Sequence, residues 1–123
     1  MNRKESAVSF LKMASSGEVE IAYKRFIAPD FIHHNQYFRG DRESLKSAMA
    51  EAHATSPNKL IDVKRVFEDG DFVITHSLVV RGNPVDPDVA VAHIFRFAGD
   101  KVVELWDLGQ PLSKDSPNEN GAF

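Results

Sequence analysis

The side chains best suited to moving a proton near neutral pH are the chain's five histidines, and His76 and His93 fall where alternating residues read as β-strand. Hairpin arithmetic suggests how they meet. If Asp69-Gly70 is a two-residue turn, Val63 comes opposite His76; if Gly99-Asp100 is another, His93 comes opposite Trp106. Pairing Val80 with Val89 across the longer middle loop sets His76 beside His93. The predicted row is Val63, His76, His93, Trp106, on a face shared with Ile61, Phe67, Phe72, Ile74, Leu78, Val91, Phe95, Phe97, Glu104 and Leu108. Asp62, Lys64, Thr75, Ser77 and Arg96 take the other face. Covered by helices, the first face would keep both histidines neutral and able to exchange a proton, with Trp106 and Phe95 as walls. The same pattern also fits core histidines satisfied by a hydroxyl, a carbonyl or water. Glu104 needs a partner or a solvated cavity there.

Other chemistries find less. Ser9, Ser44 and Ser77 lack a nucleophile-elbow motif, and no glycine-rich phosphate loop is present. The histidines show no His-x-His or His-x-x-x-His spacing, so no metal or other cofactor is expected. In Phe31–Phe38, His33 and His34 are adjacent, so in an extended segment at most one faces the interior.

The elements that must position these residues come as helices first and strands second. Ala7, Phe10, Leu11 and Ala14 have helical spacing, as do Val19, Ala22, Tyr23 and Phe26, and Leu45, Ala48, Met49 and Ala52. Ser15 and Glu18 have capping-box spacing for the second helix, Pro29 predicts its end near Ala28, and Asp41 is the expected cap of the third. After Pro57 the period falls to two, predicting strands at Lys59–Glu68, Asp71–Val80, Val89–Ala98 and Lys101–Gln110. The whole predicts a single α+β domain over residues 1–110 and a polar arm over 111–123.

Composition bounds the partners. With 123 residues, 42% hydrophobic and 27% charged, the chain suits one globular domain with a core and a pocket. No cysteine is present, which excludes thiol catalysis and disulfides and makes the cytoplasm the default compartment. A net charge of −3 without a basic block argues against nucleic acid, and no apolar run predicts a membrane span or a secretory leader.

Phe31-Ile32-His33-His34-Asn35, Val73-Ile74-Thr75-His76-Ser77, His93-Ile94-Phe95-Arg96, Val102 to Pro111 and the closing Asn118-x-Asn120-Gly121-x-Phe123 together resemble the SnoaL-like group of the nuclear-transport-factor-2-like superfamily. The resemblance spans nearly the whole chain. It implies a cone of three N-terminal helices on a strongly bent, mostly antiparallel sheet, one internal pocket, and a homodimer formed through the sheet. It also implies cofactor-free acid–base chemistry of isomerase, dehydratase or cyclase type on a small apolar or carbonyl-containing molecule, or non-catalytic binding of one. Carried onto this chain, His76 becomes the general base and His93 the oxyanion donor or relay, at a position where such proteins commonly hold an acid. His34, Asn35, Phe95, Glu104, Trp106 and Gln110 become substrate contacts. Asp107 matches the family's acid near the end of the sheet. The two-residue turns point Asp107 to the outer face; a one-residue bulge would bring it in.

Overall fold

A computed structural model describes residues 1–123. Its elements are α1 (Arg3–Ser15), α2 (Val19–Phe26), β1 (Ile27–His33), α3 (Arg42–Thr55), β2 (Leu60–Asp69), β3 (Phe72–Val80), β4 (Val89–Ala98) and β5 (Lys101–Pro111). The strands form one open sheet in the order β1-β5-β4-β3-β2. All its ladders are antiparallel except β1 with β5, which is parallel. The fold is α+β, three helices packed on a five-stranded sheet. No helix is long and apolar enough to cross a membrane.

The helical spacings hold, while two of the expected boundary signals do not. Ser15 donates its hydroxyl to the Lys12 carbonyl instead of capping α2. The reciprocal cap lies at α1, where Asn2 Oδ1 accepts from Glu5 N at 2.8 Å and Glu5 Oε1 accepts from Asn2 N at 3.1 Å. α2 ends at Phe26, because Ile27 is already extended, and Pro29 lies inside β1. An edge strand tolerates that proline, since one side of it has no ladder to donate to. Asp41 caps α3 as expected, accepting from Ser44 N at 3.0 Å. The core sits where α1 and α2 meet the sheet, with Phe10 edge-on to Tyr23 at 5.6 Å and to Phe95 at 6.3 Å.

Strand boundaries fall within a residue of expectation, but the register does not, and four local features account for it. The first turn centres on Gly70-Asp71, so Asp69 pairs with Phe72, and a bulge between Val63 and Arg65 then sets Val63 opposite Ser77. Across the middle loop Val89 pairs with Val79 rather than Val80, where the Asp88 carboxylate takes the Arg81 backbone N–H at 3.1 Å. Gly99-Asp100 is the expected turn, but a bulge follows it: Phe97 pairs with Val102 and Arg96 with Glu104. A one-residue slip moves every side chain to the other face. The row that forms is therefore Val66, Thr75, His93, Asp107.

Candidate functional site

The inner row runs beneath the helices. His93 is buried there and stacks on Phe95 at 5.9 Å, and its Nδ1 has no hydrogen-bond partner. Burial pushes its pKa down to about 4, opposed by the Asp107 carboxylate. Asp107 is its direct ladder partner, which puts their Cβ atoms about 5 Å apart. On the other side of Asp107, the Asn35 amide donates to Oδ2 at 3.0 Å.

Asn35 owes its position to His33. That ring points inward, accepts the Asn35 N–H on Nδ1 at 3.1 Å, and lies with Nε2 at 2.6 Å from the Arg39 carbonyl. A carbonyl can only accept, so the ring is the Nε2–H tautomer. Asn35 Oδ1 in turn accepts from Tyr37 N at 3.0 Å, an Asx turn that fixes the side chain over the sheet.

Asp107 and Asn35 face a cavity of about 860 Å3 between α3, the 35–38 loop and the inner face of the sheet. Leu45, Ala48, Met49 and Ala52 form its helix side; Val89, Val91, Gly109 and Pro111 form its sheet side; Lys59 and Arg81 complete it. A volume of ~300–1,000 Å3 is usual for a small-molecule site. A second depression of about 480 Å3 beside α3, lined by Arg39, Glu43 and Glu51 among others, shares Tyr37, Phe38 and Ala48 with the cavity but contains neither Asp107 nor Asn35.

The remaining sequence candidates lie elsewhere. His76 belongs to the outer face, tilted against Phe123 at 4.9 Å and hydrogen-bonded by Arg65, because the middle-loop slip pairs it with Ala92. Trp106 is also turned outward by the β5 bulge and stacks on His34 at 4.8 Å. His34 borders the cavity, but its Nε2 lies 2.6 Å from Glu104. Glu104 is outward too, opposite Arg96, which donates to Oε1 at 2.8 Å. His34 and then Arg96 hold that carboxyl below its usual range. Phe95 is core rather than cavity wall, and Gln110 is exposed beyond it. Thus the structure unites His93, Asp107 and Asn35, and separates them from His76, Glu104 and Trp106.

Four further polar groups escape sequence reasoning. Thr75 and Ser77 are fully buried on the inner face with hydroxyls lacking a partner. Tyr23, which spacing marks only as helix core, is buried with its hydroxyl 3.5 Å from Met49 Sδ. Burial is the main force holding that phenol protonated, against the pull of Arg42. Lys59, the first residue of the predicted strand and the one before the observed β2, turns into the cavity; strand alternation with Ile61 was the available signal.

The SnoaL-like domain model matches residues 8–105, well over half of the chain. The chain belongs to the SnoaL-like domain family. Asp107 lies just beyond the matched segment. A cystatin-fold protein from Novosphingobium aromaticivorans is similar in structure, with TM-score 0.77 at 22% identity over 88% of this chain and 98% of its own. An NTF2-like protein from Cytophaga hutchinsonii gives 0.72 at 15% identity, over 90% and 92%. A candidate polyketide cyclase from Acidithiobacillus ferrooxidans gives 0.70 at 22%, over 85% of each chain. At these identities the likeness is one of fold. No curated protein sequence matches the chain.

Proposed function

We propose that this SnoaL-like chain is a cofactor-free acid–base catalyst for a small carbonyl compound held in the cavity beside α3. The observation that carries the reading is Asp107 in the cavity wall with one carboxylate oxygen fixed by Asn35. The other oxygen is then free to take a proton from the carbon next to a carbonyl. The enolate formed has three ways on, all with the proton returned by the same carboxyl: protonation at another carbon, loss of a β-hydroxyl as water, or attack on a second carbonyl. These are isomerisation, dehydration and aldol ring closure. The candidate cyclase among the structural neighbours favours the last class. His93, the ladder partner of Asp107, is kept neutral by burial.

The test is α-proton exchange in deuterated water, followed by NMR on the methyl ester of ω-benzoyloctanoate. Exchange by the wild type should exceed that of buffer, and Asp107→Asn should lower it by ~10²–10⁴-fold. No exchange above buffer by the wild type, or an undiminished rate in Asp107→Asn, overturns the reading. Binding of the ester without exchange would instead make the cavity that of a small-molecule carrier.

The same reading includes a homodimer. Phe67, Phe72, Ile74 and Leu108 are exposed together on the outer face of the sheet, and a second copy laid on that face would cover them.

A further inference from the structure

Lys59 and Arg81 extend the inner face one residue past β2 and β3. The pairing of Leu60 with Val80 sets them opposite one another, and both line the cavity. Neither takes part in any of the chain's ion pairs. Arg81 Nε is buried without a hydrogen-bond partner. The Asp88 carboxylate bonds the backbone of Arg81 rather than its guanidinium. Like charges directly opposite in a ladder repel. Burial and then Arg81 hold the Lys59 ammonium below its usual range, with no acid raising it. The backbone nevertheless clamps the pair together. Gly82, at φ +74°, lies so close to Asn58 that a Cβ would come within 2.7 Å of the Asn58 carbonyl oxygen.

Two uncompensated cations on the wall of a cavity are a receptor for an anion that the chain itself does not supply. We propose that Lys59 and Arg81 bind a carboxylate at the far end of the ligand, so that the cavity accepts keto acids. The carbonyl half rests on the function proposed above. Arg81 offers a planar fork matched to two carboxylate oxygens. The last turn of α3, which reaches the same cavity at Ala52, places the negative end of a helix dipole there. A negative potential works against every anion, and more strongly against a doubly charged phosphate than against a singly charged carboxylate. From the row of Thr75, His93 and Asp107 to Arg81 is about 20 Å along β3 at the usual rise, shortened by the reach of both cationic side chains. The ligand must therefore be long, with its carboxylate remote from the reacting carbon.

Calorimetric titration of ω-benzoyloctanoate and of its methyl ester tests this. The wild type should bind the carboxylate at least about tenfold tighter than the ester. The Lys59→Met/Arg81→Met variant should lose that preference while keeping its affinity for the ester, and Asp107→Asn should retain the preference. Equal affinities in the wild type, no binding of either compound, or a preference that survives the double substitution overturns the proposal. A folding readout stands beside it. Lys59→Met alone should raise the thermal midpoint of the ligand-free protein by relieving repulsion, and a lowered midpoint would show a partner within the chain and overturn the proposal. The exchange assay uses the ester, so loss of catalysis and loss of carboxylate recognition are scored separately.

Discussion

On the inner face of β3 stand Val73, Thr75 and Ser77, all fully buried, whereas the outer face of the same strand carries Phe72 and Ile74 at 39% and 41% exposure. β4 and β5 repeat the contrast: His93 and Asp107 point in, Ile94, Trp106 and Leu108 point out. A sheet that only had to close a core would place these residues the other way round. Polar groups under the helices are costly as filler, yet reasonable as the wall of a cavity. Large apolar groups in the open are reasonable if another surface covers them. The two faces thus differ in chemistry, the inner one partly polar and covered, the outer one broad, apolar and open, as the proposed ligand site and the proposed dimer would require.

The largest effect should separate the core end of the inner face from the outer face. Phe95 is fully buried against Phe10, so Phe95→Ala should cost about 3–5 kcal/mol in urea unfolding. Phe67, 58% exposed, should behave oppositely: Phe67→Lys should change monomer stability by less than about 1 kcal/mol and should separate the proposed dimer in light scattering. A Phe67→Lys variant as damaging as Phe95→Ala would mean that the outer face is core after all.

This contrast also explains what was legible in the sequence. Helical spacing located all three helices, since packing of one face per helix is a local pattern, and Gly70 and Gly99 marked both hairpins. Which face of the sheet was inner could not be read, because Phe72, Ile74 and Leu78 are more apolar than Val73, Thr75 and Ser77. Choosing the oilier face of β3 put His76 inside, and without the bulge at Val103 the β5 register put Trp106 inside and Asp107 outside. Bulges at Lys64 and Val103 leave no mark in composition, yet each exchanges the faces of the residues beyond it. The parallel pairing of β1 with β5 joins the two ends of the chain and lies outside any hairpin argument. Asn35 reaches Asp107 only through that pairing. His93 was placed correctly, in a strand where Val91, Phe95 and Phe97 share its side.

A smaller effect should follow pH. The folded protein holds His93 at about 4, below its ordinary 6.5, because burial disfavours the imidazolium. Between those values the unfolded chain binds the extra proton, so stability is complete above pH 6.5 and falls as pH is lowered toward 4, by about 3 kcal/mol. Unfolding midpoints measured across this window should decline less in His93→Gln. The depressed carboxyl of Glu104 adds its own loss at still lower pH, which His93→Gln should leave in place. Identical pH profiles for the two proteins would show that His93 is solvated in the fold, and the inner face would lose its distinguishing group.

The smallest effect concerns Thr75, which sits beside His93 in the inner row with its hydroxyl buried and unpartnered. Thr75→Val keeps the branched shape and the strand preference while removing the oxygen. A buried hydroxyl without a partner carries a desolvation cost of about 1–3 kcal/mol, so its removal should raise stability, by about 1 kcal/mol in urea unfolding. Gains of this kind are commonly left unused where a site needs the polar group. If the inner face is a site rather than a core, the more stable Thr75→Val protein should exchange α-protons more slowly than the wild type, through the altered surroundings of His93 and Asp107. A stability loss would show that the hydroxyl is hydrogen-bonded in the folded protein, and a gain with unchanged exchange would assign Thr75 to packing. Either result would move the boundary of the site to the His93–Asp107 pair and narrow the difference between the two faces by one residue.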